Sequence, residues 1–388
     1  MPARVHVVSC QDYGQPALRE AVWEALESVG AGECVGAASK VLLKPNLINS
    51  MPPERAVCTH PAVVRAVAEW ALQRGAQVVV ADQPGYALTD DAQACFRDTG
   101  LVGALGDLPV ELRLLARGGY ETVALGPHHR LAEVIFANDV LAADVVVNLP
   151  KAKTHSQTLF SGAVKNMFGA IAPKQRLAIH LLGRFWALSE AIADCYSARV
   201  PELHLMDAVV AMEGLGPTQG RPVQTGFLAA SSDGVALDAV TEDLLGFEPG
   251  AVATTVAAAG LELGERDLES IEVTGASRSA VRRVIQQSPV VRADLMGPLV
   301  RLVGSLVRAR PKVRVDLCRG CGACAGICPA GLISVDRVAR IAHETCVECF
   351  CCLEACPYDA IVVQRSPLYQ TAWAVKRWLD RRAAAKER

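Results

Sequence analysis

The sequence predicts a large α/β domain with a largely parallel sheet, followed by a small cysteine-rich α+β domain. Two observations predict this. Short apolar, β-branched runs alternate with amphipathic helical patterns from the N-terminus to about residue 290. Nine of the 14 cysteines then crowd between Cys318 and Cys356.

In chain order, the strand candidates are RVHVVSC (4–10), KVLLKPN (40–46), QVVVADQ (77–83), EVIFA (133–137), DVVVNLP (144–150), HLMDAVV (204–210) and GFLAAS (226–231). Between them lie helical patterns at 16–30, 60–75 and 233–246. The greasiest stretch, 177–198, contains His180, Arg184, Glu190 and Asp194. It reads as a mostly buried helix and not as a membrane span, which needs about 20 uninterrupted apolar residues. Residues 1–290 form the predicted α/β domain, 291–312 a basic linker helix, 313–365 the cysteine-rich domain and 366–388 a basic amphipathic C-terminal helix.

A formal net charge of −2 on 388 residues gives no global signal for nucleic acid. The first residues, MPARVHVVSCQDYGQ, lack a signal-peptide core, so a cytoplasmic, reducing compartment is expected. Dense cysteines in such a compartment point to metal or redox chemistry.

The cysteines repeat one spacing twice. Cys318, Cys321, Cys324, Cys328 and Pro329 form the first copy of C-x-x-C-x-x-C-x-x-x-C-P, and Cys346, Cys349, Cys352, Cys356 and Pro357 the second. Three thiolates two residues apart wrap three irons of a cubane, and the fourth reaches the neighbouring cluster. The expected ligand sets are therefore crosswise. Cys318, Cys321, Cys324 and Cys356 hold one 4Fe–4S cluster, and Cys346, Cys349, Cys352 and Cys328 the other. Cys351 breaks the spacing and is read as a non-ligand. Zinc, which needs only four ligands, fits eight cysteines in two tight quartets poorly. The pattern matches bacterial-type ferredoxins.

In parallel sheets ligands gather at the carboxyl ends of strands. Lys44-Pro45-Asn46 stands at such an end, where a lysine and a carboxamide suit an anion or a carbonyl, though an ordinary strand end reads the same way. His60 and Thr59 precede Pro61 and suit helix capping. The densest polar stretch is Asn148 to His155, with Lys151 and Lys153, followed by Lys165 and Asn166. No carboxylate occurs from Pro150 to Lys174, which favours a carboxylate or phosphate site over a mixed-charge surface. His155 is a candidate proton donor, whereas His180 reads as an interior histidine. Asp82 and Asp207, in or after strands beside Gly/Pro loops, are carboxylates that could bind a metal or pair with the lysines, and Asp238 belongs to the same set of carboxylates. Asp233 suits capping of the helix that follows it. No dinucleotide fingerprint or phosphate-binding loop occurs.

KPNL, THPAVVRAV, VVNLPKAKTH, SGAVKNMFGAI, MDAVVAMEGLGPTQG and DGVALDAV together resemble the domain of unknown function 362 family. The resemblance spans nearly all of residues 1–365 and implies an iron–sulfur protein suspected of reductive chemistry. It carries over Lys44, Asn46, Lys151, Lys153, His155, Lys165, Asn166, Asp207 and Asp238 as site residues without roles. Where the family often has a Gly/Ser-rich stretch, this chain has ADQPGYALTD, so Asp82 is not carried over.

The expected activity is an iron–sulfur oxidoreductase that passes electrons from two clusters to a small anionic substrate, or to a cofactor bound with it. His155, Lys151 and Lys165 are the expected catalytic residues. Lys44, Asn46, Lys153, Asn166, Asp207 and Asp238 are expected to bind substrate. A ferredoxin, flavodoxin or reductase would supply electrons, and the reading leaves room for a homo-oligomer. Two rivals are a non-catalytic electron-transfer or assembly protein, and a non-redox enzyme with structural clusters.

Overall fold

The computed structural model of the protein describes residues 2–85, 94–183, 185–288 and 309–367. Twelve strands precede the cysteine-rich segment: β1 (Arg4–Ser9), β2 (Lys40–Pro45), β3 (Gln77–Asp82), β4 (Val110–Leu114), β5 (Tyr120–Ala124), β6 (Glu133–Ala137), β7 (Val145–Leu149), β8 (Lys151–His155), β9 (Leu159–Ser161), β10 (Leu203–Glu213), β11 (Arg221–Ser231) and β12 (Glu272–Gly275). The main sheet runs β12-β1-β11-β10-β7-β2-β3-β4, with β8 and β9 attached beside β10. Strands β10, β7, β2, β3 and β4 are mutually parallel, while β11 lies antiparallel between β1 and β10.

The central strands are apolar on both faces because helices cover both. Val41 and Leu43, Val145 and Val147 face one core, with the helices Ala17–Ser28 and Pro61–Gln73. Leu42 and Val146 face the other, with the helix Phe185–Ser197. This alternation is the period-2 geometry of a strand, and burial on both faces marks a parallel sheet.

Three sequence expectations change in the α/β part. EVIFA forms a strand but pairs with β5 in a separate antiparallel ribbon, off the main sheet. The place beside β3 is taken by VELRL (β4), whose alternating charges hide an edge strand. The long helix over 177–198 is two helices, Pro173–His180 and Phe185–Ser197, because Gly183 adopts φ +62 between them.

Pro150 divides what reads as one polar stretch. The ladder between β2 and β7 ends at the Pro45–Leu149 pair. Proline has no N–H to continue it. The Pro150 carbonyl instead accepts from Asp207 N at 2.9 Å, and the chain continues as β8 against β10.

The cysteine-rich segment contains two small antiparallel pairs: β13 (Ala309–Val313) with β16 (Ile361–Arg365), and β14 (Ile333–Val335) with β15 (Ala339–Ile341). Residues 309–312, expected to end the linker helix, therefore open a strand, since β16 offers them a partner. The remainder of that helix, and the C-terminal helix beyond residue 367, lie outside the described residues. Leu215 packs on the core of this segment, and Gln219 Nε2 donates to the carbonyls of Leu353 and Ile361 at 3.3 and 3.1 Å. Leu177 packs beside Cys349 and Cys351. No helix among the described residues is long and apolar enough to cross a membrane.

Candidate functional site

From β2 the chain steps outward through β3 to β4, whereas β7 returns to the other side of β2. That reversal opens a crevice at the carboxyl ends of β2 and β7, where ligands bind in parallel sheets. Lys44, Asn46, Asp82 and Asn148 sit at these ends because their strands do.

Two lysine–aspartate pairs are sealed beneath the crevice. Lys44 Nζ donates to Asp82 Oδ1 at 2.7 Å, and Asp82 Oδ2 accepts from Leu47 N at 2.7 Å. Gly169 presses on this pair, since a Cβ there would stand 3.0 Å from Lys44 Nζ. Lys151 Nζ donates to Asp207 Oδ2 at 2.8 Å and to the Tyr13 hydroxyl at 2.8 Å. Tyr13 donates to Asp207 Oδ1 at 2.9 Å and stacks on His60, whose own amide donates to Asp207 Oδ2. His60 also caps its helix by accepting from Ala62 N. Burial pushes both lysines below their ordinary pKa, and their aspartates oppose that shift. The aspartates thus pair with lysines. No three His, Cys, Asp or Glu side chains among the described residues converge to hold a single metal ion.

Lys153 has no carboxylate partner among the described residues. Its ammonium donates to Asn46 Oδ1 and to the Val57 carbonyl. Burial lowers its pKa to about 7. From Asn46 a chain of amides runs inward: Asn46 Nδ2 to Asn166 Oδ1 at 2.8 Å, Asn166 Nδ2 to Asn148 Oδ1 at 2.7 Å, then Asn148 Nδ2 to His204 Nδ1 at 3.1 Å. Each amide fixes the orientation of the next, which rigidifies the crevice floor. Asp238 accepts from the amides of Ala163 and Val164 at 2.6 and 3.0 Å. It thereby anchors the start of the short helix that presents Lys165 and Asn166.

Above this floor lies a cavity of about 130 Å³. A water needs roughly 10–15 Å³ on the same measure, so the space suits a small molecule. Lys44, Asn46, Asp82, His155, Lys165 and Asn166 line it, together with Arg176, His180 and, from the cysteine-rich segment, Ile327, Cys351 and Glu354. The Lys165 ammonium makes no hydrogen bond or ion pair among the described residues and lies 5.9 Å from the Phe168 ring centre. Burial lowers its pKa. His155 Nδ1 accepts from Gln157 N at 3.1 Å, which places the proton of the neutral ring on Nε2, 3.6 Å from Glu354 Oε1. Burial holds this imidazole well below its usual pKa. His180 is nine-tenths buried, its Nδ1 has no hydrogen-bond partner among the described residues, and burial lowers its pKa to about 3.

The structure thus gathers Lys44, Asn46, His155, Lys165 and Asn166 around one cavity. Lys151, Lys153, Asp207 and Asp238 do not line it. They brace the strands and the helix that do. Arg176, His180, Cys351 and Glu354 were missed as site residues. Arg176 and His180 are four apart on one helix face just after the lysine-rich stretch, a signal the sequence did contain. Cys351 and Glu354 reach the cavity through packing between two distant segments, which no local pattern encodes.

Two smaller cavities hold the paired cysteines. One is lined by Cys318, Cys321, Cys324 and Cys356, the other by Cys328, Cys346, Cys349 and Cys352. Each quartet takes its fourth cysteine from the opposite motif, so the donor sets suit cubane clusters. Backbone amides of Ala339, Leu332 and Ala360 point at Cys318, Cys328 and Cys356 Sγ at 3.3–3.4 Å. Cys351 lines neither cavity and turns to the larger one.

Residues 317–360 match a 4Fe–4S dicluster domain. The electron transport protein HydN of Escherichia coli (strain K12) is 38% identical over 61 residues, 15% of this chain and 35% of HydN. A thylakoid-associated protein of Synechocystis sp. is 32% identical over 263 residues, covering 66% of this chain and 79% of that protein. Among solved structures, the lactate racemase apoprotein of Thermoanaerobacterium thermosaccharolyticum aligns with a TM-score of 0.43 at 13% identity, over 62% of this chain and 57% of that one. Residues 41–243, more than half of the chain, match the family model of a domain of unknown function, DUF362. The chain belongs to that family and carries a 4Fe–4S dicluster domain behind it.

Proposed function

We propose that the protein is an iron–sulfur oxidoreductase that delivers electrons to a small anionic substrate in the cavity between the sheet and the dicluster domain. The observation that carries this reading is the shared wall: Cys351 and Glu354 of the dicluster domain face Lys165, His155 and Arg176 of the α/β part across one space. In this reading Cys318, Cys321, Cys324 and Cys356 hold one 4Fe–4S cluster, and Cys346, Cys349, Cys352 and Cys328 hold a second. Bound clusters of this type supply single electrons. Cys349 and Cys352 of the second quartet flank Cys351 in sequence, so a cluster held by that quartet would supply electrons beside the cavity.

The chain's own residues divide the remaining work. Lys165 and Arg176 present positive charge to the anion, at a depth where Coulomb attraction is stronger than in water. The Lys44–Asp82 pair and the amide chain hold the floor rigid, so the substrate is oriented without reorganising the site. His155, neutral with its proton on Nε2, donates a hydrogen bond from that N–H to the substrate oxygen on which negative charge develops as electrons arrive. Burial of the walls limits water around the reacting atoms.

The test is turnover by anaerobically purified holoprotein with a chemical reductant, after native mass spectrometry has identified any retained small molecule. Lys165→Ala and His155→Ala should each lose most turnover at unchanged iron content. Full activity in both would overturn the site assignment.

A further inference from the structure

The two cysteine quartets are not equivalent in their surroundings. Around Cys328, Cys346, Cys349 and Cys352 the chain turns inward. Cys349 and Cys352 are buried, and the intervening Cys351 faces the large cavity. The other quartet faces out, and Cys321 is the one exposed cysteine of the eight.

The surface around Cys321 is distinctive in charge. Arg319 lines its cavity beside Tyr358, which is 47% exposed. Arg337 packs under Gly320, where a Cβ would stand 2.7 Å from the Arg337 carbonyl. Arg340 follows Ala339, whose amide donates to Cys318 Sγ at 3.4 Å. Arg319, Arg337 and Arg340 are all exposed, and none makes an ion pair among the described residues. The other charged groups between Arg314 and Ile341 are Arg314 itself, Asp316, which Arg314 holds at 2.6 Å, and Asp336. Four arginines thus stand against two aspartates. Exposed Val315 adds an apolar contact.

We infer that this face docks an acidic one-electron carrier protein of the ferredoxin or flavodoxin class, and that electrons pass from it through the outer quartet's cluster to the inner one. The inference rests on the proposed reading that both quartets hold clusters. Electron transfer weakens steeply with distance, so a carrier must approach the most exposed cluster, and Cys321 marks it. Arginine and tyrosine are the residue types enriched at contact surfaces. Transient redox interfaces are small, under roughly 1,200 Å², and steering by opposite charge sets their association rate. A patch of unpaired arginines around the exposed cysteine meets both requirements.

The test measures bleaching of the anaerobic holoprotein's clusters after mixing with a purified acidic ferredoxin, pre-reduced and free of excess reductant. Dithionite serves as the small-molecule comparison. The triple variant Arg319→Gln/Arg337→Gln/Arg340→Gln should react at least about tenfold more slowly with ferredoxin at low salt and lose most of its salt dependence. Its iron content and dithionite rate should stay unchanged. An unchanged ferredoxin rate overturns the proposal, as does an equal fall with both reductants, which would place the effect in the clusters. Arg130→Gln, remote in sequence and ion-paired with Glu190, should match the wild type. Failure of the oxidoreductase reading would show separately, as normal ferredoxin-driven bleaching without turnover of any substrate.

Discussion

Lys151 Nζ stands 2.8 Å from Asp207 Oδ2, with both side chains excluded from solvent. The pair joins β8 to β10 just past Pro150, where the backbone ladder is interrupted. Tyr13 and the His60 amide complete the hydrogen bonding of the aspartate. A buried ion pair satisfied on this scale is costly to break from one side, because the remaining charge has no water to turn to.

Asp207→Asn should therefore destabilise the protein by about 3–5 kcal/mol. Chemical denaturation followed by circular dichroism would show it as an earlier transition. Lys151→Met/Asp207→Leu, which removes both charges, should recover much of the loss. A double variant as unstable as Asp207→Asn would mean that the pair has a role beyond charge compensation.

Lys153 predicts a pH dependence. Its pKa is lowered by burial from 10.5 to about 7. The unfolded chain binds the extra proton between those values, so this group makes stability rise with pH from about 7 towards 10.5. Below about 7 the lysine is charged in both states and its penalty is complete. Comparing wild type with Lys153→Met at pH 7 and pH 9 cancels the other titrating groups. The wild type should gain on the variant as pH rises. A difference that does not change with pH would refute the buried, uncompensated ammonium.

The crosswise quartets predict which cysteines act together. Cys356→Ser should perturb the same cluster as Cys321→Ser, and Cys328→Ser the same cluster as Cys349→Ser, as read by electron paramagnetic resonance of the reduced protein. Cys351→Ser should leave iron and sulfide content at wild-type levels, because its thiol lines neither quartet's cavity. Loss of iron in Cys351→Ser would restore that residue as a ligand.

Lys165 and Lys44 should behave differently although both line the cavity. Lys44 is tied to Asp82, while the Lys165 ammonium has no carboxylate partner among the described residues. Lys165→Met should weaken binding of a small dicarboxylate probe, oxalate, by about tenfold or more at constant stability, given the value of a charge-assisted hydrogen bond. Lys44→Met should chiefly destabilise the fold, leaving Asp82 buried without its partner. Isothermal titration together with thermal unfolding separates the two. Equal binding loss with equal destabilisation in both variants would remove the distinction.

The sequence by itself determined the parts governed by local periodicity and spacing. The apolar runs of β2, β3 and β7, the capped helix after His60 and both cysteine motifs are written within a few residues of one another. Pairing the quartets crosswise was also legible, since a three-residue gap turns the fourth cysteine away from its own loop. That Lys44, Asn46, His155, Lys165 and Asn166 lie near one crevice was legible because parallel strands end together and the chain returns past those ends. What tertiary structure decided was which charges meet. Asp82 and Lys44 are 38 positions apart, Asp207 and Lys151 are 56 apart, and Glu354 comes to His155 from 199 residues away. No sequence window contains such pairs. Burial and strand order choose them, and they left Lys165, Arg176 and Cys351 around the cavity while locking Lys151 and Asp207 beneath it.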